Sequence, residues 1–226
     1  MGLIRQITPE FTFDDVEDEI AFTRATVKAD PNAVDLLPMT DDWFSLADNA
    51  RAKDRLARMA DADATAARTI ANFHLDNACT HFGDDLYLAV GKDRNAARWT
   101  QFFPVAVSRF VKMRFDKQIQ KVTGWLGPNV QDPVVDKHRA NLTTWSTAAA
   151  DSLEKTTSSV MTRAQARIAR EQLAEDLTRE RDGLFDALSA RARDKGLPRD
   201  WPKQFFRVTA RKSDNNDEGE VAPPTP

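Results

Sequence analysis

Between Asp41 and Val90 the chain reads DDWFSLADNARAKDRLARMADADATAARTIANFHLDNACTHFGDDLYLAV, fifty residues with no proline and one interior glycine, Gly83. Apolar or small residues recur at Trp43, Leu46, Ala47, Ala50, Leu56, Met59, Ala60, Ala67, Ile70, Ala71, Leu75, Ala78, Phe82, Leu86 and Tyr87. Steps of three and four belong to a helix, and an alternating strand pattern is absent. Thr40-Asp41-Asp42 supplies a cap followed by acids, the usual helix opening. At 1.5 Å per residue a helix over 41–90 is roughly 75 Å long. That length, with an alanine-rich stripe that admits a close neighbour, predicts a coiled-coil-like bundle.

A second stretch of the same kind starts near Pro133 and continues without proline to Lys195, where Gly196-Leu197-Pro198 reads as a stop. The low-propensity run Thr156-Thr157-Ser158-Ser159 is a place for a kink. Between the long segments, Gly91 to Arg94 reads as a break. Pro104 suits the first turn of a shorter helix over 104–126, carrying Val107, Phe110, Val111, Val122 and Trp125. Upstream, Thr12 caps an amphipathic helix over 13–29 whose first turn holds Asp14 and Asp15. Pro31 and Pro38 bracket a linker. The prediction is an all-α, elongated helical bundle: long helices at about 41–90 and 134–195, with shorter ones at 104–126 and 13–29. The simplest path through it makes the two long helices parallel with 104–126 antiparallel between them; an antiparallel long pair is the alternative. Residues 1–39 form an acidic arm and helix, 40–210 the bundle, and the proline-ended stretch 211–226 reads as a disordered tail.

The chain also matches itself at a shift of 102 residues. Trp43 falls on Trp145, Met59 on Met161, Arg68 on Arg170, Leu75 on Leu177 and Trp99 on Trp201. One further residue brings Gln101-Phe102-Phe103 onto Gln204-Phe205-Phe206. Two repeats, about 40–110 and 142–210, are therefore expected, each a long helix followed by an aromatic corner. Trp99, Phe102, Phe103, Trp201, Phe205 and Phe206 either close the ends of a core or form exposed tips for a partner.

Charge is uneven although the net value is only −3. Residues 1–45 hold ten acids against three bases, whereas 91–126 hold eight bases against two acids. Such segments attract one another within or between chains, or are simply solvated. No apolar run approaches the ~20 residues of a membrane span. The opening Met1-Gly2-Leu3-Ile4-Arg5 is followed by polar and acidic residues and does not read as a secretory signal. With one cysteine, Cys79, an intramolecular disulfide framework is excluded. A cytoplasmic protein is expected.

Catalytic patterns are missing. There is no Glu-x-x-His step for a di-iron bundle, no glycine-rich phosphate loop and no Gly-x-Ser-x-Gly. His74 and His81 share a helical face near Asp76, Cys79 and Asp85, but a metal would need ligands from another helix. Neither a metal nor a cofactor is expected, and no small-molecule substrate is identified. The segment 107–121 sets Arg109, Lys112, Arg114, Lys117 and Lys121 among Phe110, Met113 and Phe115. Bases interleaved with aromatics hold nucleic acid through phosphate contacts and stacking, and they equally describe a helix with a buried apolar face. The acidic overall balance, pI near 5.7, weighs against a dedicated nucleic-acid protein.

The stretch from Arg170-Glu171-Gln172-Leu173-Ala174 through Leu197-Pro198-Arg199-Asp200-Trp201-Pro202 to Phe205-Phe206-Arg207 resembles the C-terminal part of uncharacterised bacterial helical-bundle proteins. The resemblance implies a bacterial helical bundle and assigns no residue a role. The sequence thus points to a non-enzymatic interaction or scaffold protein that binds protein partners or itself through helical faces. Nucleic-acid or polyanion binding through 107–121 is the alternative.

Overall fold

The computed structural model describes residues 4–208. The expected disordered tail lies outside the described residues. Within them the chain is all-α, with no strand and one isolated antiparallel bridge between Ile4 and Val208. Helix α1 spans Phe13–Ala29. Its capping box is complete: the Thr12 hydroxyl accepts from the Asp15 amide, and the Asp15 carboxylate accepts from the Thr12 amide. The expected linker is ordered instead as a 3-10 turn over Val34–Thr40, with Pro38 inside it.

Helix α2 runs Trp43–Ala89. Gly91 and Lys92 then take positive φ, and the Lys92 amide reaches back to the Tyr87 carbonyl at 2.9 Å. The predicted helix 104–126 is not one helix. It is two pieces, α4 over Val107–Phe110 and α5 over Phe115–Trp125, and a further short helix, α3 over Ala97–Phe102, precedes it. Pro104 separates α3 from α4, because the residue before a proline avoids helical backbone, and Phe103 sits at φ −118°, ψ 83°. Arg114, at φ −53°, ψ 132°, separates α4 from α5 and breaks the predicted helix. Helix α6 spans Pro133–Asp194 without interruption. At the suspected kink the Thr156 and Thr157 hydroxyls donate to the Ser152 and Leu153 carbonyls, one turn back in the helix. Gly196, at φ 63°, ends it, with the Leu197 amide donating to the Ala192 carbonyl at 2.8 Å.

The chain divides into a central unit, Ala52–Arg167, and a terminal unit built from the residues up to Arg51 and from Ile168 onward. Within the central unit the two long helices are antiparallel. Asp61 pairs with Arg163 at 3.0 Å, His74 stacks on Trp145 at 3.9 Å, and Asp85 meets Lys137 and His138. The parallel arrangement is therefore corrected. Three short helices with two breaks turn the chain back, where a single straight helix would not. Here α2 buries Ala57, Ala64, Ala71 and Ala78 at seven-residue steps, and α6 buries Ser152, Ser159 and Ala166. The core of this unit is aromatic: Phe82 touches the rings of Phe102, Phe103, Trp125 and His138. Gly83 allows the approach of α4, since a Cβ there would lie 2.8 Å from Val107 Cγ2.

The terminal unit packs Val16, Ile20 and Val27 of α1 with Trp43 and Ala47 of α2, Leu177, Leu184 and Leu188 of α6, and Trp201, Phe205 and Phe206. Burying each large side chain contributes about 1.5–3 kcal/mol. Several devices recur 102 residues apart. Asp30-Pro31 and Asp132-Pro133 make the same turn, each carboxylate accepting the amide two residues on at 2.8 Å. Each also holds an aromatic corner: Asp30 accepts the Trp201 indole N–H, and Asp132 takes both Nε and Nη2 of Arg98, the residue before Trp99. Arg68 lies over Phe115, and Arg170 lies over Phe13.

Candidate interaction site

The aromatic corners are interior. Trp99, Phe102, Phe103, Trp201, Phe205 and Phe206 are all buried, so they cannot serve as exposed tips. Their geometry explains why. Trp99 stacks obliquely on Phe103, and Phe103 also meets Phe110 and Trp125. Trp201 meets Phe205 edge-on at 4.9 Å. Rings packed edge to face are a core contact, closed to a partner.

The five basic residues of the central unit, Arg109, Lys112, Arg114, Lys117 and Lys121, are all exposed. Arg114 is held by both oxygens of Asp116, and Lys117 Nζ donates to Gln120. The Arg114 guanidinium keeps the Asp116 carboxyl below the usual carboxylate range. Phe110 and Phe115, the aromatics between these bases, are buried. The segment therefore offers positive charge without exposed rings for bases to stack on.

Sequence reasoning placed Leu56, Met59 and Ile70 on the core stripe of α2, and the structure moves them outside. Leu56, Met59, Ile70 and Phe73 are 61%, 53%, 55% and 58% exposed, while the alanines one or two positions away form the core. The signal was present as a second spacing, 56-59-63-66-70-73, with Asp63 and Ala66 filling the middle. On the central part of α6, Val160 and Met161 are also exposed. Large apolar side chains in a row on a helix whose opposite face is already packed form a surface that water covers poorly.

Cys79 is wholly buried, and burial pushes its thiol up to about 12, so it stays protonated. Burial raises the Asp76 carboxyl, against the hydrogen bonds it accepts from Gln118 and Asn72. His138 Nε2 lies 2.7 Å from Asp85, and His81 is exposed. Among the described residues no group of three or more His, Cys, Asp or Glu is placed to hold a metal ion, and no helix is long and apolar enough to cross a membrane. No family model, curated protein or solved structure matches the chain.

Proposed function

We propose that the protein is a non-enzymatic cytoplasmic interaction protein that pairs with a second copy of itself through the outward face of α2. One observation carries this reading: α2 is apolar on two faces and only one of them is covered. Leu56, Met59, Asp63, Ala66, Ile70 and Phe73 follow the three-four spacing of a coiled-coil seam, and every one is exposed. The seam is about 25 Å long at 1.5 Å per residue. Its flanks, Ala60, Ala62, Ala67 and Thr69, are small and let another helix approach.

A second copy fits because the seam complements itself when reversed. Antiparallel pairing sets Leu56 against Phe73, Met59 against Ile70 and Asp63 against Ala66. Parallel pairing sets Asp63 against Asp63, which like-charge repulsion disfavours. The same reading takes the two halves as a duplication and as relatives of uncharacterised bacterial helical bundles. In its support stand the turns and ring contacts repeated 102 residues apart and the pairing of Asp61 with its own counterpart, Arg163.

Sedimentation of the native chain between about 1 and 100 µM, a range chosen to span ordinary dimer affinities, tests it beside Leu56→Glu/Ile70→Glu. The expected result is a dimer that the double variant turns to monomer while its helical circular dichroism is unchanged. A native monomer throughout, or a dimer indifferent to the variant, overturns the proposal. The second reading, polyanion binding, rests on the five exposed cations. It predicts salt-sensitive binding of a single-stranded oligonucleotide that Arg109→Glu/Lys112→Glu/Lys117→Glu abolishes.

A further inference from the structure

Arg181 stands where a core residue belongs. On α6 it follows Leu177 by four and precedes Leu184 by three, and all three side chains are buried. A guanidinium taken from water needs an ionic partner and acceptors for its donors. Arg181 has only part of that. Nη1 donates to the Arg5 carbonyl at 2.9 Å, and Nη2 lies 3.6 Å from Glu19 Oε2. Nε and Nη2 are buried without a hydrogen-bond acceptor. Glu19, its carboxylate fully enclosed, is shared with Arg5 Nη1 at 3.1 Å, so one anion serves two guanidinium groups. Burial drives the Arg181 pKa below its ordinary value, with Glu19 and Asp182 opposing.

The incomplete pairing borders a cavity of about 650 Å³ in the terminal unit. Arg181, Arg5 and Lys203 line it against one carboxylate, Asp182, and Lys203 has no ion-pair partner among the described residues. The opposing wall is apolar: Ile4, Ile7, Phe185 and Phe206. Phe206 also lies beneath the Arg181 guanidinium, 5.2 Å from ring centre to Cζ. The volume is that of a small-molecule site, and a few convergent charges on an apolar lining are its usual makeup.

From this geometry we infer that the cavity beside Arg181 binds a small amphipathic anion, a carboxylate or phosphate head on an apolar body. The head neutralises the cation excess left by the shared Glu19 and reaches Lys203. The body lies on Phe185, Phe206 and the two isoleucines. The neighbouring hollow of about 630 Å³ is a poor rival, since three acids, Glu171, Glu175 and Asp182, line it against one base, Arg179, the reverse of the balance here.

Calorimetry with octanoate, octyl phosphate and 1-octanol on the full chain tests the inference. Octanoate or octyl phosphate should bind and octanol should not; the tighter of the two identifies the head. Lys203→Gln, at a half-buried position outside the ion pairs, should weaken binding about tenfold, the size of one charged hydrogen bond. Glu19→Gln should tighten it, because it removes the competing anion, whereas a purely structural Glu19 would give weaker binding or none. Equal binding of octanol and octanoate, no binding of either anion at millimolar concentration, or indifference to both variants overturns the site.

Discussion

The two units solve the same packing problem with different chemistry at one position. In the central unit Cys79 is a small buried thiol between Leu75 and Phe82, beside a cluster of interlocked rings. In the terminal unit the residue 102 positions later is Arg181, a buried cation between Leu177 and Leu184 beside a cavity. Both have Asp-Pro turns and an arginine over a phenylalanine. Stability alone favours the cysteine, because a well-packed neutral residue usually equals or exceeds a buried ion pair. The terminal unit therefore carries a cost that its counterpart avoids. Charge follows the same divide: residues 52–167 hold seventeen bases against twelve acids, and the remainder fifteen against twenty-three.

The largest effect expected is at that position. Arg181→Met leaves Glu19 enclosed with only Arg5 and should lose about 3–5 kcal/mol, the usual cost of breaking a buried pair from one side. Cys79→Ala removes a single heavy atom from its cavity and should lose about 1 kcal/mol. Urea melts combined with hydrogen exchange should place the first loss in the terminal unit and the second in the central one. Adding Glu19→Gln to Arg181→Met should recover most of the loss, since the stranded charge goes. Equal effects of the two single changes would erase the contrast between the units.

The turns sharpen the comparison at a smaller scale. Asp132 receives two donors from Arg98 and accepts from the Val134 and Val135 amides, whereas Asp30 receives one indole and the Asn32 amide. Asp132→Asn should cost about 1.5–3 kcal/mol, and Asp30→Asn about 1 kcal/mol. The Arg98 guanidinium holds the Asp132 carboxyl below the usual carboxylate range, with burial opposing. A depressed folded pKa stabilises the fold above the unfolded value of about 3.9 and loses that contribution as pH falls toward the folded value. Acid titration of Asp132→Asn should thus show a shallower loss of stability below about pH 4 than the parent. Asp76 acts in the opposite sense. Its raised pKa favours the protonated folded form, so Asp76→Asn should raise Tm at pH 7 and leave it unchanged at pH 3.

Much of the fold was legible, and the failures have physical causes. The Thr12 cap and the glycine after Lys195 fixed two helix boundaries, because caps are local chemistry. The 104–126 segment failed because apolar spacing continued across one extended residue, Arg114, which ends α4's turn and starts α5. The antiparallel order was hidden by counting connections as straight helices, although the alanines at 57, 64 and 71 already marked the closest face. Of the candidate site, exposure of the bases was legible from charge, and burial of the aromatic corners from ordinary packing. Arg181 was missed because it lies in the polar run Arg179-Glu180-Arg181-Asp182, where only the steps to Leu177 and Leu184 betray it.

The smallest effect is expected at an exposed ion pair between α2 and α6. Asp61 and Arg163 lie 102 positions apart and pair at 3.0 Å, with both side chains well exposed. Water screens such a pair and two long side chains lose freedom in making it, so Arg163→Ala should change stability by no more than about 0.5 kcal/mol. The exchange Asp61→Arg/Arg163→Asp should be equally mild, and high salt should leave both unchanged from the parent. The neighbouring buried residues, Ala57, Ala64, Ser159 and Ala166, have no such freedom, since a larger side chain there must push two backbones apart. If Arg163→Ala instead costs several kcal/mol, the ion pair sets the register of α2 against α6 in the central unit. The small-residue stripe would then be a consequence of that register and no longer its cause.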